Sequence, residues 1–198
     1  MALFMERRLF IAINLPEDIK AEIRHVLQLD DAKNAELYSD AKMVPEENWH
    51  ITLKFLGNQS KEHLATIERV IADIAKGTHA PEVAIRTLTT APPHRPPRMV
   101  WVTTTTETNK TLGSIKETME AELERHNIFH QKGEVHPVYH GHINLARLPE
   151  GRRIADHIVS LPNALTFKPA TIDLMESQLE NSGAEYSIVR SIDFKTSI

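Results

Sequence analysis

The chain contains no cysteine. Disulfides, thiolate metal sites and a cysteine nucleophile are therefore excluded. It also lacks any apolar run near the ~20 residues that a membrane-spanning helix needs. Aromatic residues make up only 6% of the chain, and no aromatic-rich RNA-binding motif is present. An excess of basic residues is missing too: the net charge is −4 and the pI is near 6.3. Proteins that track long nucleic acids carry a basic surface, because neutralising phosphates supplies most of the non-specific affinity. Any contact with nucleic acid is therefore expected in a local pocket, at an end or at a single linkage. What is present is ordinary for a soluble globular protein, with 41% hydrophobic and 25% charged residues. A length of 198 residues suffices for one substantial core, or for two small lobes that share one. The opening apolar run is broken by Glu6, Arg7 and Arg8 and has no small-residue cleavage site. It reads as a first strand rather than a leader, and the expected compartment is the cytoplasm.

Along the chain, residues 8–14 read as a strand, and Pro16 suits the first turn of a helix with the stripe Ile19, Ile23, Val26 and Leu27. A short strand is expected within residues 37–44. Residues 49–56 (WHITLKFL) form a strong strand pattern, closed by Gly57 and Asn58. Ser60 can cap a helix with the stripe Leu64, Ile67, Ile71 and Ile74, ending at Gly77. Strands are expected at 82–88 and 99–104, separated by the proline-rich loop APPHRPPR. Leu112, Ile115, Met119 and Leu123 mark another helix. A loop with His130, Gly133 and Pro137 leads to a strand at 139–148 (YHGHINLARL). Ile154, Ile158 and Leu161 predict a short helix, and two closing strands at about 171–179 and 185–194 turn at Asn181, Ser182 and Gly183. Strands and helices in unequal groups favour α+β with antiparallel sheets over a doubly wound parallel sheet.

Two of these strands carry chemistry. Side chains alternate across a strand, so Trp49, Ile51, Leu53 and Phe55 are expected to face a core, with His50, Thr52 and Lys54 on the other side. In the second strand Gly141, Ile143 and Leu145 share one face, and His140, His142 and Asn144 share the other. Each strand thus presents an imidazole with a small hydrogen-bonding group two residues on. Of the eleven histidines, only His50 is followed at that spacing by Ser or Thr. Positions i and i+2 are about 6.5–7 Å apart on a strand face, so one phosphoryl group can meet both side chains. In-line displacement at phosphorus needs a base on the attacking side and an acid on the leaving side, which two facing imidazoles supply. A hydroxyl or amide can steady the non-bridging oxygens. No metal or cofactor is required.

RLFIAINLP near the start, VPEENWHITLKFLG from Val44 and HINLARL from His142 resemble the 2H phosphoesterase superfamily. The nearest branch is the RNA 2′,3′-cyclic phosphodiesterases, also called 2′-5′ RNA ligases. RMVWV from Arg98 resembles the family's central strand, and MESQLENSGAEYSIV from Met175 its closing hairpin, so the resemblance runs along nearly the whole chain. It implies that residues 1–198 form a single bilobal α+β domain. Two pseudo-symmetric antiparallel sheets would face a central cleft, with helices on the outer faces. It implies hydrolysis of an RNA-terminal 2′,3′-cyclic phosphate, or of a small cyclic phosphate nucleotide, to a 2′-phosphomonoester. His50 would then be the proton donor to the leaving 3′ oxygen and His142 the proton acceptor that activates water. Thr52 and Arg147 would bind phosphate. Arg147 has the opposite strand parity to His142, so reaching the same phosphate requires a bulge or strand end near Ala146. The chain departs from the pattern at Asn144, where the family has Thr or Ser. An amide NH₂ still donates to phosphate oxygen, and Asn144 is kept as a phosphate contact. A monomer with no membrane association is expected.

Three other readings compete. His140 and His142, with His136, form an H-x-H arrangement that metal-dependent hydrolases use, although no supporting carboxylate stands out nearby. A non-catalytic RNA-end-binding module would need exposed aromatics, for which Phe10 and Tyr139 are candidates. Within the enzyme reading, cleavage or ATP-independent ligation of 2′,5′ linkages uses the same groups. Arg95, Arg98 and Lys132 are candidates for added positive charge around the cleft.

Overall fold

The computed structural model describes residues 6–29, 40–92, 95–128, 138–151, 158–180 and 183–195. Nine strands and three α-helices are found among them. The strands are β1 (Arg7–Asn14), β2 (Lys42–Met43), β3 (His50–Gln59), β4 (Val83–Ala91), β5 (Met99–Thr104), β6 (His142–Arg147), β7 (Ile158–Phe167), β8 (Thr171–Glu180) and β9 (Gly183–Asp193). The helices are α1 (Glu17–Leu29), α2 (Lys61–Gly77) and α3 (Thr106–Arg125), and a single 3₁₀ turn covers Glu46–Asn48. The sheets have the orders β3-β1-β8-β9 and β2-β6-β5-β4-β7, and every strand pairing in them is antiparallel. This is the α+β architecture with two antiparallel sheets. The two histidine strands hold matching places. β3 ends the first sheet, and only the two-residue β2 lies outside β6 in the second.

Helix faces follow the apolar spacing. Ile19 and Ile23 of α1, Ile67, Val70 and Ile71 of α2, and Leu112, Ile115, Met119 and Leu123 of α3 are all buried. The helix α1 packs on β7, α2 on β8 and β9, and α3 on β3 and α2. The inward residues of both sheets, among them Leu9, Ile11, Ile13, Ile51, Leu53, Val100, Val102, Ile143 and Leu145, join the helix stripes in one continuous core. On the opposite face of the first sheet, Phe10, Ala12 and Met175 form a small separate cluster with Tyr186 against it. No helix among the described residues is long and apolar enough to cross a membrane.

Three expectations are corrected. Ile158 and Leu161 lie in β7, not in a helix; Ile154 lies outside the described residues. In β7, Thr87 pairs with Ser160 while Ile85 pairs with Leu165, so residues 161–164 bulge out opposite Arg86. That irregularity around Pro162 imitates a helical spacing. Pro162 cannot donate to a ladder, and β7 is an edge strand where this is tolerated. The second correction concerns Gly57 and Asn58, which do not close β3. The strand runs through them to Gln59, with Gly57 at φ 69°, a left-handed conformation that a glycine adopts without strain.

The third concerns the faces of β3. Thr52 pairs with Ala12 and Lys54 with Ile11, which leaves Leu53 as an extra residue. A bulge reverses the alternation beyond it. Lys54 therefore turns to the helical side, where its ammonium pairs with Glu120 of α3. Phe55 emerges on the opposite face, 51% exposed, with its ring 6.0 Å from that of Phe10.

Candidate active site

Both candidate histidines are the first residues of their strands. Each is held in the same way, by its own backbone. Nδ1 of His50 lies 2.8 Å from the carbonyl of Asn48, and Nδ1 of His142 lies 2.9 Å from the carbonyl of His140. A carbonyl only accepts, so each Nδ1 carries a hydrogen, and the neutral ring has its lone pair on Nε2. The ring of His50 is further fixed by Phe10, at 5.0 Å between centroids, and by the edge of Tyr186 at 5.2 Å. His142 stacks on Trp101 at 3.8 Å and 22°.

The residue two positions on completes each half. The Thr52 hydroxyl is 3.1 Å from Nε2 of His50, and with Nε2 unprotonated it donates to that nitrogen. Asn144 accepts a 2.6 Å hydrogen bond on Oδ1 from Nε1 of Trp101. In β6, Val100 pairs with Ala146 and Trp101 with Asn144, so Leu145 is an extra residue. Leu145 and Ala146 are consequently both buried, and Arg147 turns to the side of Asn144. The extra residue falls at the third position after the histidine in both strands, Leu53 and Leu145. The fifth position is Phe55 in one half and Arg147 in the other.

His50, Asn144 and Arg147 line one cavity of about 390 Å³, together with Lys42, Asn48, Met99 and Tyr186. That volume suits a nucleotide-sized ligand. Lys42 and Arg147 give it cationic groups, and Glu47 and Glu185 lie on its wall. Thr52 and His142 are not among the lining residues; Thr52 contacts the lining residue His50, and His142 stacks on Trp101, which in turn bonds to the lining residue Asn144. Arg95 and Arg98 stand outside the cavity, Arg98 being 3.8 Å from Glu150; Lys132 lies outside the described residues. His140 is exposed. Among the described residues no three His, Asp or Glu side chains are grouped to hold a metal, and His136 lies outside them.

The two aromatics that were candidates for stacking on a base, under the RNA-binding reading, are otherwise engaged. Phe10 is buried against His50. Tyr139 donates its hydroxyl to the carbonyl of Thr52 at 2.8 Å, linking the approach to β6 with β3, and burial pushes its pKa up. Trp101 and Tyr186 were not expected at the site. Trp101 was legible, since Val100 and Val102 mark the core face of β5 and the residue between them must point the other way. Tyr186 depends on which strands become neighbours.

The electrostatics of His50 are open to test. Burial lowers the pKa of His50 to about 4. The Asn48 hydrogen bond opposes this, and positive charge on His142 adds to it. An unfolded histidine takes up its proton near pH 6.5, whereas folded His50 refuses it until about pH 4. Folding stability should therefore be full above pH 6.5 and fall as pH drops from there towards 4, by up to about 3 kcal/mol from this residue. Denaturant unfolding of the parent and of His50→Gln at pH 7.5 and 4.5 checks this. The parent should lose more stability on acidification than the variant, and equal losses would refute it.

Known proteins resemble this chain in sequence and in fold. Residues 13–101 match the LigT-like phosphoesterase family model. The RNA 2′,3′-cyclic phosphodiesterase of Methanothermobacter thermautotrophicus is 27% identical over 188 residues, which cover 92% of this chain and 96% of that one. The enzyme of the same name from Archaeoglobus fulgidus is 32% identical over 96 residues, 48% of this chain and 50% of that one. Solved structures share the fold, among them the following two. TT0787 of Thermus thermophilus has a TM-score of 0.78 at 22% identity, covering 95% of this chain and 98% of that one. LigT of E. coli, crystallised with NADP+, has a TM-score of 0.71 at 21% identity, covering 96% and 99%. The chain is thus similar to the LigT-like phosphoesterases over residues 13–101, similar along nearly its whole length to a relative named RNA 2′,3′-cyclic phosphodiesterase, and shares the fold of solved LigT.

Proposed function

We propose that this protein hydrolyses the 2′,3′-cyclic phosphate at an RNA end to a 2′-phosphomonoester, without a metal, using His142 as base and His50 as acid. The observation that carries this reading is the paired fixation of the rings. Both Nδ1 atoms are committed to backbone carbonyls, so in each neutral ring Nε2 is the nitrogen that carries the lone pair and exchanges the proton. The names of the relatives supply the substrate class. E. coli LigT has been crystallised with 3′-AMP and with phosphate, ligands of the kind this cavity would take.

In this mechanism Nε2 of His142 removes a proton from the attacking water. The water oxygen bonds to phosphorus, the bond to the 3′ oxygen breaks, and that oxygen takes the proton from Nε2 of His50. Thr52, Asn144 and Arg147 hold the non-bridging oxygens as their charge grows. His50 starts neutral in the free site because of its depressed pKa. The bound anion favours the charged ring and raises that pKa, and protonated Nε2 then donates where it had accepted from Thr52. Cleavage of 2′,5′ linkages, or ligation by the reverse step, would use the same atoms.

Phosphorus NMR of the product from a cyclic phosphate-ended oligonucleotide tests the reading. A 2′-phosphate is expected, at a rate unaffected by a chelator. A 3′-phosphate would reverse the assigned leaving group, and loss of activity to the chelator would favour the metal reading with His140 and His142.

A further inference from the structure

We propose that Trp101 is the positioning residue that turns the amide NH₂ of Asn144 towards the phosphate. The proposal rests on the function put forward above. An indole N–H can only donate, so the 2.6 Å contact from Nε1 of Trp101 must fall on the amide oxygen of Asn144. That bond settles which way the amide faces. Its oxygen is committed to β5, and its NH₂ is left for the cavity that Asn144 lines. A threonine hydroxyl has one proton that rotates to suit its surroundings and can also accept. An unclamped asparagine could turn its oxygen towards the phosphate and repel it. The clamped amide is donor-only, as an anionic phosphate oxygen requires.

The placement of Trp101 is built in several ways. It pairs directly with Asn144 across the β5–β6 ladder, at the point where the extra residue Leu145 interrupts it. Its flanking residues Val100 and Val102 are buried in the core, which fixes the strand beneath it. Its ring lies against His142 at 3.8 Å, so one side chain sets both the amide and the base of the second half-site. The first half has no counterpart, because Thr52 needs none.

The test is a double-mutant cycle on a 2′,3′-cyclic nucleotide. Trp101→Phe keeps an aromatic face against His142 and removes only the N–H. It is expected to lower kcat/KM about tenfold in the Asn144 protein, the usual scale for losing a hydrogen bond that leaves a partly buried partner unsatisfied. In the Asn144→Thr background the same change should cost less than a third as much, because a hydroxyl does not depend on the clamp. Equal losses in both backgrounds would overturn the proposal while leaving the proposed function standing. Absence of turnover by the parent protein would remove that function and the proposal with it. A direct measurement covers a Trp101→Phe variant that fails to fold. The chain has two tryptophans, and the other, Trp49, donates Nε1 to the carbonyl of Val44 at 3.0 Å. In proton–nitrogen NMR of Asn144→Thr, the Trp101 indole signal should shift and exchange faster with solvent while the Trp49 signal stays in place. An unmoved Trp101 signal would overturn the proposal.

Discussion

His142→Ala is expected to lower kcat on a cyclic phosphate-ended RNA by about 10²–10⁴-fold, the range that a positioned general base contributes, while the protein stays folded. The fold should survive because His142 is only half-buried and its ring covers one face of Trp101. The core beneath it is made by Ile143 and Leu145. Circular dichroism and thermal unfolding beside single-turnover rates separate the two effects. His50→Gln should cause a loss of similar size by removing the acid. The environment of His50 adds a signature. In the proposed mechanism His50 must carry a proton to act, yet burial holds its pKa in the free site at about 4. The limb of the pH profile that disappears in His50→Gln should therefore lie at higher pH in kcat, which reports the bound complex, than in kcat/KM, which reports the free enzyme. Full activity in both variants would end the two-histidine mechanism.

Gly141→Ala should be the most damaging single-methyl change near the site. A Cβ at position 141 would stand 2.5 Å from Oγ1 and 3.0 Å from Cγ2 of Thr104, and Thr104 is itself buried. The clash falls on a knot of hydrogen bonds. Oδ1 of Asn109 accepts from the Gly141 amide at 2.7 Å and from the Thr104 hydroxyl at 2.6 Å, and the Gly141 carbonyl accepts from the Thr104 amide at 2.9 Å. Overpacking of this kind costs about 1–3 kcal/mol, and losing part of the knot adds about 1 kcal/mol. Since Gly141 lies between His140, whose carbonyl orients the ring, and His142, turnover should fall at least about tenfold as well, the scale of a small misplacement. Denaturant unfolding and kcat of Gly141→Ala check both effects. Adding Thr104→Ala removes the atoms that are struck and should recover part of the stability. A variant as stable as the parent would show that the β5–β6 junction can move apart at no cost.

The helical stripes, most of the strands and the inward set Ile51, Leu53, Ile143 and Leu145 were legible because each follows its period without interruption. The failures fall where the period breaks. Arg147 could be brought to the cleft only by a bulge near Ala146, and one lies at Leu145. The same reasoning was not extended to β3, where the equivalent extra residue Leu53 sends Lys54 to Glu120 and brings Phe55 to the surface. Nothing in a single strand's composition announces an extra residue, because the bulge belongs to the pairing and not to either strand alone. The misread helix at Ile158 and Leu161 has the same origin, two strand pieces around residues 161–164. His50 and Thr52 could be singled out as a pair, but the contacts of His50 with Phe10 and Tyr186 join residues far apart in the chain and depend on the order β3-β1-β8-β9.

The two sheets are also joined by a short span of backbone. β2 pairs with β6 in one sheet, and after residues 44–49 the same segment begins β3 in the other. That span is taken in by its own bonds. Val44 N–H donates to the Leu145 carbonyl at 2.8 Å, Asn48 N–H to the Pro45 carbonyl at 2.9 Å, and the Trp49 indole to the Val44 carbonyl. It also supplies much of the cavity wall, from Lys42 to His50. The span therefore acts as a length gauge. The width of the cavity is set by a count of residues anchored at both ends, so one residue more or fewer there would change the spacing of the two half-sites without touching either half.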